Sequence, residues 1–188
     1  MNPTRAAIYD SPLGPLRLVA GAEGLQALQF SRPSPTIPAS CVQSPDSADP
    51  RPPRSLHAGL RQLGEYFAGQ RREFELELEL TGTPFQRAVW GALAQIPYGA
   101  TTTYGAVARQ LGTELPGVRP EPRAVAAAIA RTPVPIVIPC HRVLSADGAL
   151  TGYLGGLRRK RALLDFEAAD GARCALEASW AQRQLALL

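Results

Sequence analysis

The most constraining stretch of the chain reads Pro-Ile-Val-Ile-Pro-Cys-His-Arg-Val and spans residues 135–143. Residues 136–138 form a short, wholly apolar run, which favours a strand or extended segment buried on both sides. The proline that follows breaks this segment and biases the residue before it toward extended backbone. Cys140 therefore stands where buried structure stops, with one potential and one permanent cation beside it, His141 and Arg142. Such surroundings favour the reactive thiolate form of a cysteine.

Two observations weigh against a functional cysteine at this position. Free cysteine is among the most buried residue types and often serves as a small apolar side chain. Adjacent residues of an extended chain also point to opposite faces, so His141 need not contact the thiol of Cys140. If His141 is a base, it acts through a turn or a bridging water. Whether Cys140 is a functional residue must be decided from other parts of the chain.

Length and charge suggest two parts with different partners. The 188 residues allow one large domain or two small ones. Residues 1–81 carry 8 Lys/Arg and 9 Asp/Glu, whereas residues 82–188 carry 12 and 7, so their net charges are −1 and +5. The second part is therefore the one expected to meet a polyanion. No apolar run is long enough to cross a bilayer, and the N-terminus lacks the pattern of a secretion signal.

The cysteine count indicates a reducing compartment. Three cysteines are an odd number without framework spacing, which argues against disulfides and predicts a cytoplasmic protein. Cys41 and Cys174 lie outside any ligand-like cluster, and we interpret both as structural. No group of Cys and His has the spacing of a zinc site, so no metal is predicted.

The first part is predicted to begin with short strands and a loop. Leu16, Leu18 and Ala20 alternate with other residues, residues 25–30 form a second run, and glycines supply the turns. Residues 31–55 contain seven prolines and many Ser and Asp. That composition cannot bury a core, and it predicts a long surface loop without chemistry of its own.

A helix and a strand are predicted after this loop. Ser55 is a plausible N-cap and Gly69 a plausible stop, with Leu56, Leu60, Leu63 and Phe67 on one helix face. Residues 74–80 alternate Leu and Glu, which predicts a half-buried strand with leucines inward. The acidic row is more simply a solvated face than a metal site, and it disfavours DNA on that side.

The second part is predicted to be mostly helical. Thr83, Pro84 and Gln86 form a helix start with a capping box, and Phe85, Val89, Trp90 and Leu93 give its buried face. A short helix over 104–111 is predicted to end at Gly112. After a loop over 113–122, a third helix begins near Arg123. Two short helices joined by a loop are typical of a helix-turn-helix.

The third helix is nearly all alanine. Its simplest interpretation is a close-packed core helix, yet alanines on the opposite face would let the backbone approach a DNA groove. Arg123 stands at the positive end of the helix dipole, where a cation is locally unfavourable, which suggests a role toward a partner. Residues 145–148 predict a hairpin turn between 143–144 and 149–153, similar to the wing of a winged helix. A basic helix over 157–168 follows, and 172–188 predict a terminal helix.

Several stretches now coincide with one family. The chain resembles the O6-alkylguanine-DNA alkyltransferases, also called methylated-DNA–protein-cysteine methyltransferases. The similarity rests above all on Pro-Cys-His-Arg-Val after an apolar run. The other matching motifs are Ser11-Pro12-Leu13-Gly14, Leu63 to Gly69, Gly82 to Gln86, Val89-Trp90, Ile96 to Gly99, Thr103-Tyr104, Arg123 to Val125, Tyr153, Gly155-Gly156 and Leu163 to Glu167.

The resemblance implies a fold and a reaction. It implies an α/β N-terminal domain over 1–81, ribonuclease H-like with a small antiparallel sheet, and a mostly α, winged-helix-like DNA-binding domain over 82–188. In the family, a cysteine thiolate attacks the alkyl carbon on the oxygen of guanine and keeps the alkyl group. Each molecule therefore reacts once, without metal or nucleotide cofactor. The expected partner is duplex DNA with alkylated bases, and the expected state is a monomer.

The resemblance also implies roles at named positions. Cys140 is the nucleophile, His141 takes its proton through a bound water, and Glu167 orients the imidazole. Tyr104 donates to a ring nitrogen of the leaving guanine. The remaining residues implied are Val143, Tyr153, Leu154 and Thr132 for the substrate pocket, and Arg123, Ala124, Ala126 and Ala127 for the minor groove. Arg123 fills the gap left by the flipped base.

Three departures from the family pattern stand out. Thr132 occupies a position where the family usually has Asn. This leaves open how the helix that begins near Arg123 connects to the loop that carries Cys140. Leu154 replaces a commonly small, polar residue and is expected to reshape the pocket. The loop over 113–122 is longer than in many relatives. Two rival functions remain: a binding-only relative, which would lack the cysteine, and a thiol hydrolase, which would turn over.

Overall fold

The computed structural model describes residues 4–30, 54–114 and 120–169. These residues fall into two compact units, one within 4–80 and one within 81–169. The predicted domain limits of 1–81 and 82–188 stay a prediction, because their outer ends lie outside the described residues. Most of the proline-rich loop, the centre of the 113–122 loop, the two further cysteines and the terminal helix also lie outside them.

The first unit is built on a three-stranded antiparallel sheet, as predicted. Its strands lie side by side in chain order, and a tight turn joins the first two. They are β1 (Arg5–Ser11), β2 (Gly14–Ala20) and β3 (Leu25–Phe30). Leu16, Leu18 and Ala20 are fully buried, because alternate residues of a strand share one face.

Helix α1 (Arg54–Phe67) contacts this sheet through its buried face. That face is Leu56, Gly59, Gln62, Leu63 and Tyr66. The prediction of Ser55 as N-cap was wrong, since Ser55 lies within the helix. Leu60 and Phe67 are only half-buried, because the buried stripe is rotated toward Gly59 and Tyr66.

The predicted end of α1 at Gly69 is confirmed, and its geometry explains the residue. Gly69 has a φ of 72°, a left-handed conformation that costs glycine little. Its N–H donates to the Tyr66 carbonyl at 2.9 Å, and the Gln70 N–H donates to the Glu65 carbonyl at 2.8 Å. These two bonds satisfy carbonyls that the last helical turn would otherwise leave open.

The predicted strand over 74–80 was wrong in its extent. The segment forms one parallel bridge, in which the Leu25 N–H donates to the Glu77 carbonyl and the Glu79 N–H to the Leu25 carbonyl. The first residues of this segment are held by the side chain of Gln62 and not by pairing with a neighbouring strand. The amide of Gln62 donates to the Glu75 carbonyl at 2.7 Å and accepts from the Glu75 N–H at 2.8 Å. Leu–Glu alternation therefore gives an extended segment without a full ladder.

The described residues of the second unit form four α-helices, two very short parallel strands and one 3-10 turn. The helices are α2 (Pro84–Ala94), α3 (Tyr104–Glu114), α4 (Pro122–Ile129) and α5 (Leu157–Ala168). The strands are β4 (Thr102–Thr103) and β5 (Val143–Leu144). No helix among the described residues combines the length and the apolar character needed to span a membrane.

The local start signals of this unit are largely confirmed. The side chain of Thr83 accepts from the Gln86 N–H at 3.2 Å while the Gln86 side chain accepts from the Thr83 N–H at 2.9 Å, which is the predicted capping box. Thr103 accepts from the Ala106 N–H and so caps α3. The predicted stop at Gly112 was wrong, since α3 continues to Glu114. One glycine weakens a helix without necessarily ending it.

The predicted wing is only half correct. The turn exists, since the Gly148 N–H donates to the Ser145 carbonyl and the Ser145 N–H to the Ala149 carbonyl. Residues 149–153 form no strand, and β5 pairs with β4 instead. The carbonyl of Thr151 in this segment accepts side-chain hydrogen bonds, from Tyr104 and Lys160.

Gln62 generates a prediction about the first unit. Replacing it with Met keeps the side-chain length and removes both hydrogen bonds to Glu75. Because a buried hydrogen bond contributes about 1 kcal/mol, we expect roughly fivefold faster hydrogen exchange at the Glu75 amide. Exposed Gln70→Met is the matched control and should leave that amide unchanged. Equal exchange in the wild type and in Gln62→Met would refute the bracing role.

Candidate active site

The thiol lies on a compact turn in the second unit. Cys140 opens a 3-10 turn over Cys140–Arg142, and its sulfur-bearing side chain is 4% exposed. The Cys140 N–H donates to the Ile138 carbonyl at 2.7 Å, and the Arg142 N–H donates to the Pro139 carbonyl at 3.0 Å. Sequence predicts Cys140 at the edge of buried structure, whereas the fold holds it inside.

The apolar run before the thiol is not the predicted strand. Its residues form a buried turn closed by the Ile138 N–H, which donates to the Val134 carbonyl at 2.9 Å. Ile136 has a φ of 76°, a left-handed conformation that β-branched residues rarely adopt. Such strain costs on the order of 1–3 kcal/mol and persists only where surrounding contacts impose it. Ile136 is fully buried, so the packed core around it supplies those contacts.

A cavity of about 190 Å³ opens beside Cys140. Its wall comes from the start of α3, the end of α4, the thiol turn and the segment before α5. The lining residues are Tyr104, Ala126, Ile129, Ala130, Cys140, Thr151, Gly152, Tyr153 and Leu154. The wall is mostly apolar, and the Tyr104 hydroxyl donates to the Thr151 carbonyl at 3.1 Å.

Behind the thiol lies a buried carboxylate with several donors. Glu167 is 2% exposed and accepts from His141 Nε2 at 2.9 Å through Oε1. The Arg142 guanidinium donates to both carboxylate oxygens, from Nε and Nη2, at 2.8 Å each. The Gly99 N–H adds a longer bond of 3.3 Å. Arg142 also donates to the Ile96 carbonyl at 2.6 Å, which fixes its orientation.

These contacts set the protonation states. Burial alone would raise the pKa of Glu167, but the hydrogen bonds and charges of His141 and Arg142 hold it well below its usual range. Burial lowers the pKa of His141 despite the opposing carboxylate. His141 is therefore neutral, and because a carboxylate only accepts, its hydrogen is on Nε2. Nδ1 is left as the basic atom, buried and without a hydrogen-bonding partner in the described parts of the protein.

The thiol itself is protonated in the free protein. Burial raises the pKa of Cys140 to about 12, although a hydrogen bond with the Thr132 side chain and the charge of Lys160 act in the opposite direction. Sequence had suggested that His141 and Arg142 favour the thiolate. The structure directs both of those side chains to Glu167 instead.

Lys160 is the residue that sequence analysis missed. It is the only lysine of the chain and lies among arginines on α5, in the stretch for which sequence predicts only a basic helix. Its side chain is fully buried, and Nζ donates to the carbonyls of Val143, Thr151 and Gly152 at 2.6, 2.7 and 3.4 Å. Only its residue type distinguishes it in the sequence, since it is the single lysine among twenty Lys and Arg residues.

The structure divides the predicted site residues into three groups. Cys140, Tyr104, Tyr153, Leu154 and Ala126 line the cavity. The second group is buried behind it and does not line it: His141, Glu167, Val143 and Thr132. The third group is exposed on α4: Arg123, Ala124 and Ala127.

Helix α4 connects the exposed and the lining groups. Val125, Ala128 and Ile129 are buried in the core, and the Trp90 indole N–H donates to the Ala128 carbonyl at 3.1 Å. One alanine-rich helix thus presents a surface on one side and part of the cavity wall on another. Thr132 follows this helix, and its hydroxyl donates to the Ile129 carbonyl at 2.7 Å.

Metal-binding side chains are not clustered in the part of the chain that the structure describes. Among residues 4–30, 54–114 and 120–169, no group of three or more His, Cys, Asp or Glu side chains is arranged to hold a metal ion.

Comparison with known families gives matches over both units. Residues 4–80 match the family model described as 6-O-methylguanine DNA methyltransferase, ribonuclease-like domain. Residues 84–169 match the model described as 6-O-methylguanine DNA methyltransferase, DNA binding domain. The predicted fold class, a small antiparallel sheet unit followed by a helical DNA-binding unit, is confirmed.

Individual relatives agree with these matches. Proteins named methylated-DNA–protein-cysteine methyltransferase are 44% identical in Mycobacterium tuberculosis H37Rv and 40% identical in Methanosarcina acetivorans. The alignments cover 84% and 86% of this chain and 88% and 96% of those relatives. Among solved structures, Mycobacterium tuberculosis OGT in complex with DNA is 41% identical, with a TM-score of 0.68 over 87% of this chain and 92% of that one. On this evidence the chain belongs to the 6-O-methylguanine DNA methyltransferase family, the methylated-DNA–protein-cysteine methyltransferases.

Proposed function

We propose that this protein repairs DNA by direct reversal of damage, moving the alkyl group of O6-alkylguanine to the sulfur of Cys140. The observation that carries the proposal is that Cys140 lines a cavity whose other walls belong to the DNA-binding unit. At about 190 Å³ this cavity is below the roughly 300–1,000 Å³ typical of drug-sized ligands, which suits a single base. O4-methylthymine is a second, smaller candidate base.

The reaction balances without a cofactor. The Cys140 sulfur forms a bond to the alkyl carbon while the bond between that carbon and the guanine oxygen breaks. The thiol gives up one proton and the released guanine gains one on its ring, so the number of hydrogens is unchanged. Because a thioether does not return to a thiol under these conditions, each protein molecule acts once.

His141 and Glu167 are proposed to remove the thiol proton. A thiol with a pKa of about 12 carries little thiolate at neutral pH, so a base must act as the attack occurs. The only basic atom of neutral His141 is Nδ1, since Nε2–H is bound to Glu167. A water between Cys140 and Nδ1 would carry the proton, and Glu167 would stabilise the resulting imidazolium.

Tyr104 is proposed to assist the departure of guanine. Its hydroxyl lines the cavity and donates to the Thr151 carbonyl in the free protein. Redirected to a ring nitrogen, the same proton would neutralise charge that develops on the leaving base. The backbone N–H of Leu154 would face the guanine oxygen, and the carbonyls of Cys140 and Val143 would accept from the exocyclic amine, with Tyr153 against the ring.

DNA is proposed to bind along α4 by the minor groove. Arg123, Ala124 and Ala127 are exposed, so small side chains would allow close approach while Arg123 occupies the gap left by a flipped base. Ala126 joins this surface to the cavity wall. The base must be flipped, because an atom inside a duplex cannot reach a buried thiol.

Further proposals concern the setting of the reaction. We propose that the protein acts as a monomer in the cytoplasm, with 1–81 and 82–188 as its two domains. Leu154, which is 61% exposed at the cavity edge, would set the size of alkyl group accepted. The binding-only alternative has no support from the site, since a reactive residue type lines the cavity.

Methyl transfer to Cys140 is the central prediction. After mixing with duplex DNA containing O6-methylguanine, intact mass should rise by one CH₂, and peptide mapping should place it on Cys140. Cys140→Ser should show no gain, whereas Cys41→Ser and Cys174→Ser should react like the wild type. Methyl that stays on the DNA, or that transfers in Cys140→Ser, would remove the basis for the proposal.

The proposed base generates a second prediction. Replacing His141 with Gln should slow methyl transfer at saturating DNA by about 10²-fold or more, the usual contribution of a positioned base. Glu167→Gln should slow it as well, because the imidazolium loses its counter-charge. Single-turnover rates by quenched flow measure both, with circular dichroism to check folding. Wild-type rates in a folded His141→Gln protein would exclude the relay.

Arg123 generates a third prediction. Arg123→Ala should slow transfer from duplex DNA by about tenfold or more, because filling the gap offsets a flipping cost of a few kcal/mol. Transfer from single-stranded DNA with the same lesion should change much less, since no base pair is broken. Exposed Arg131→Ala removes the same charge and is the control. An equal loss on both substrates would show that Arg123 acts only as a general DNA contact.

A further inference from the structure

The hydroxyl of Tyr104 is held by a single residue of the opposite cavity wall. It donates to the Thr151 carbonyl at 3.1 Å, and the Thr151 hydroxyl donates back to the phenol oxygen over 3.5 Å. Both residues line the cavity that contains Cys140. The phenol oxygen of Tyr104 therefore has Thr151 both as its acceptor and as a donor.

The Thr151 carbonyl can release Tyr104 at little cost. A carbonyl oxygen has two lone pairs, and a carbonyl that loses its last donor inside a protein is destabilising. Lys160 Nζ is a second donor to this carbonyl, at 2.7 Å. Because that bond remains, Tyr104 can turn its hydrogen away and still leave the Thr151 carbonyl satisfied.

Gly152 leaves space beside the same hydroxyl. A Cβ atom built on Gly152 would lie 3.8 Å from the phenol oxygen of Tyr104, in van der Waals contact with it. The φ of Gly152 is 45°, in the left-handed region that glycine adopts with little strain. The wall at residues 151–152 thus binds the hydroxyl without enclosing it.

We propose that Thr151 is a positioning residue for Tyr104 in the transfer reaction. Its carbonyl holds the phenol hydroxyl at the cavity in the free protein, and its hydroxyl donates to the phenol oxygen once Tyr104 turns its hydrogen to the base. This role deepens the proposed function and rests on it. No bond to Thr151 forms or breaks, and the hydrogen that the base receives is that of Tyr104.

Charge development on the phenol gives Thr151 its effect. As guanine leaves, Tyr104 shares its hydrogen with a ring nitrogen, and the phenol oxygen becomes more negative. A hydrogen bond to a charged acceptor is about twice as strong as one between neutral groups. The Thr151 hydroxyl is already within reach, and its long bond of 3.5 Å fits a contact that tightens only when substrate is bound.

A set of substitutions isolates the Thr151 hydroxyl. Thr151→Val keeps the shape of the side chain and removes the hydroxyl, whereas Thr151→Ser keeps the hydroxyl. Thr151 is exposed, so both variants should fold. Thr101→Val, at an equally exposed position just before α3, is the matched control. Tyr104→Phe and the double variant Tyr104→Phe/Thr151→Val complete a double-mutant cycle.

Single-turnover methyl transfer from duplex DNA tests the coupling. Thr151→Val should slow transfer about fivefold, the effect of losing one hydrogen bond, while Thr151→Ser and Thr101→Val should react like the wild type. In the Tyr104→Phe background, Thr151→Val should cause no further loss. An equal loss in both backgrounds, or no loss in Thr151→Val, would overturn the role.

A second measurement needs neither DNA nor methyl transfer. In Raman spectra, the intensity ratio of the tyrosine Fermi doublet reports whether a phenol oxygen donates or accepts a hydrogen bond. Difference spectra against Tyr104→Phe isolate the signal of Tyr104, which should lose its acceptor character in Thr151→Val and keep it in Thr151→Ser. An unchanged ratio in Thr151→Val would contradict the pairing. Absent methyl transfer in the wild type would count against the proposed function, while the Raman ratio would still decide the pairing.

Discussion

The buried carboxylate of Glu167 is the interaction on which the site depends. It accepts from His141, from two of the three guanidinium nitrogens of Arg142 and from the backbone of Gly99, so it joins α5, the thiol turn and the segment after α2. A carboxylate without these donors would not remain charged in the interior. With them, it fixes the tautomer of His141 and leaves Nδ1 as the basic atom.

Around this pair the fold encloses the thiol and favours its neutral form. Burial favours the neutral form of Cys140, and the charge of Lys160 opposes burial only in part. If each molecule reacts once, as we propose, a protonated and enclosed sulfur is less exposed to other electrophiles. Lys160 donates to the carbonyl of Val143, just after the thiol turn, and to that of Thr151 in the cavity wall, so one side chain links these two segments.

Much of the fold could be predicted because its signals are local. The capping box at Thr83, the glycine end of α1 and the alternation in β2 each depend on neighbouring residues, and all three are confirmed. The errors occurred where a local pattern permits several outcomes. Leu–Glu alternation over 74–80 is compatible with a strand. At the start of this segment, however, the Glu75 N–H donates to the side chain of Gln62 and not to a neighbouring strand. An apolar run before Cys140 is compatible with a strand, but the Ile138 N–H donates to the Val134 carbonyl of the same segment and closes a turn.

The sequence by itself determined the family, the nucleophile candidate and the helix that carries Arg123, because motif order and residue type are properties of the chain. Only the tertiary structure decided which side chains meet. His141 and Glu167 are 26 residues apart, and Lys160 reaches Val143 across 17. Such contacts depend on how the helices pack, and the hydrophobic periodicity of a single element does not specify that packing. For the same reason sequence indicates Lys160 only as one cation of a basic helix, although the fold buries it.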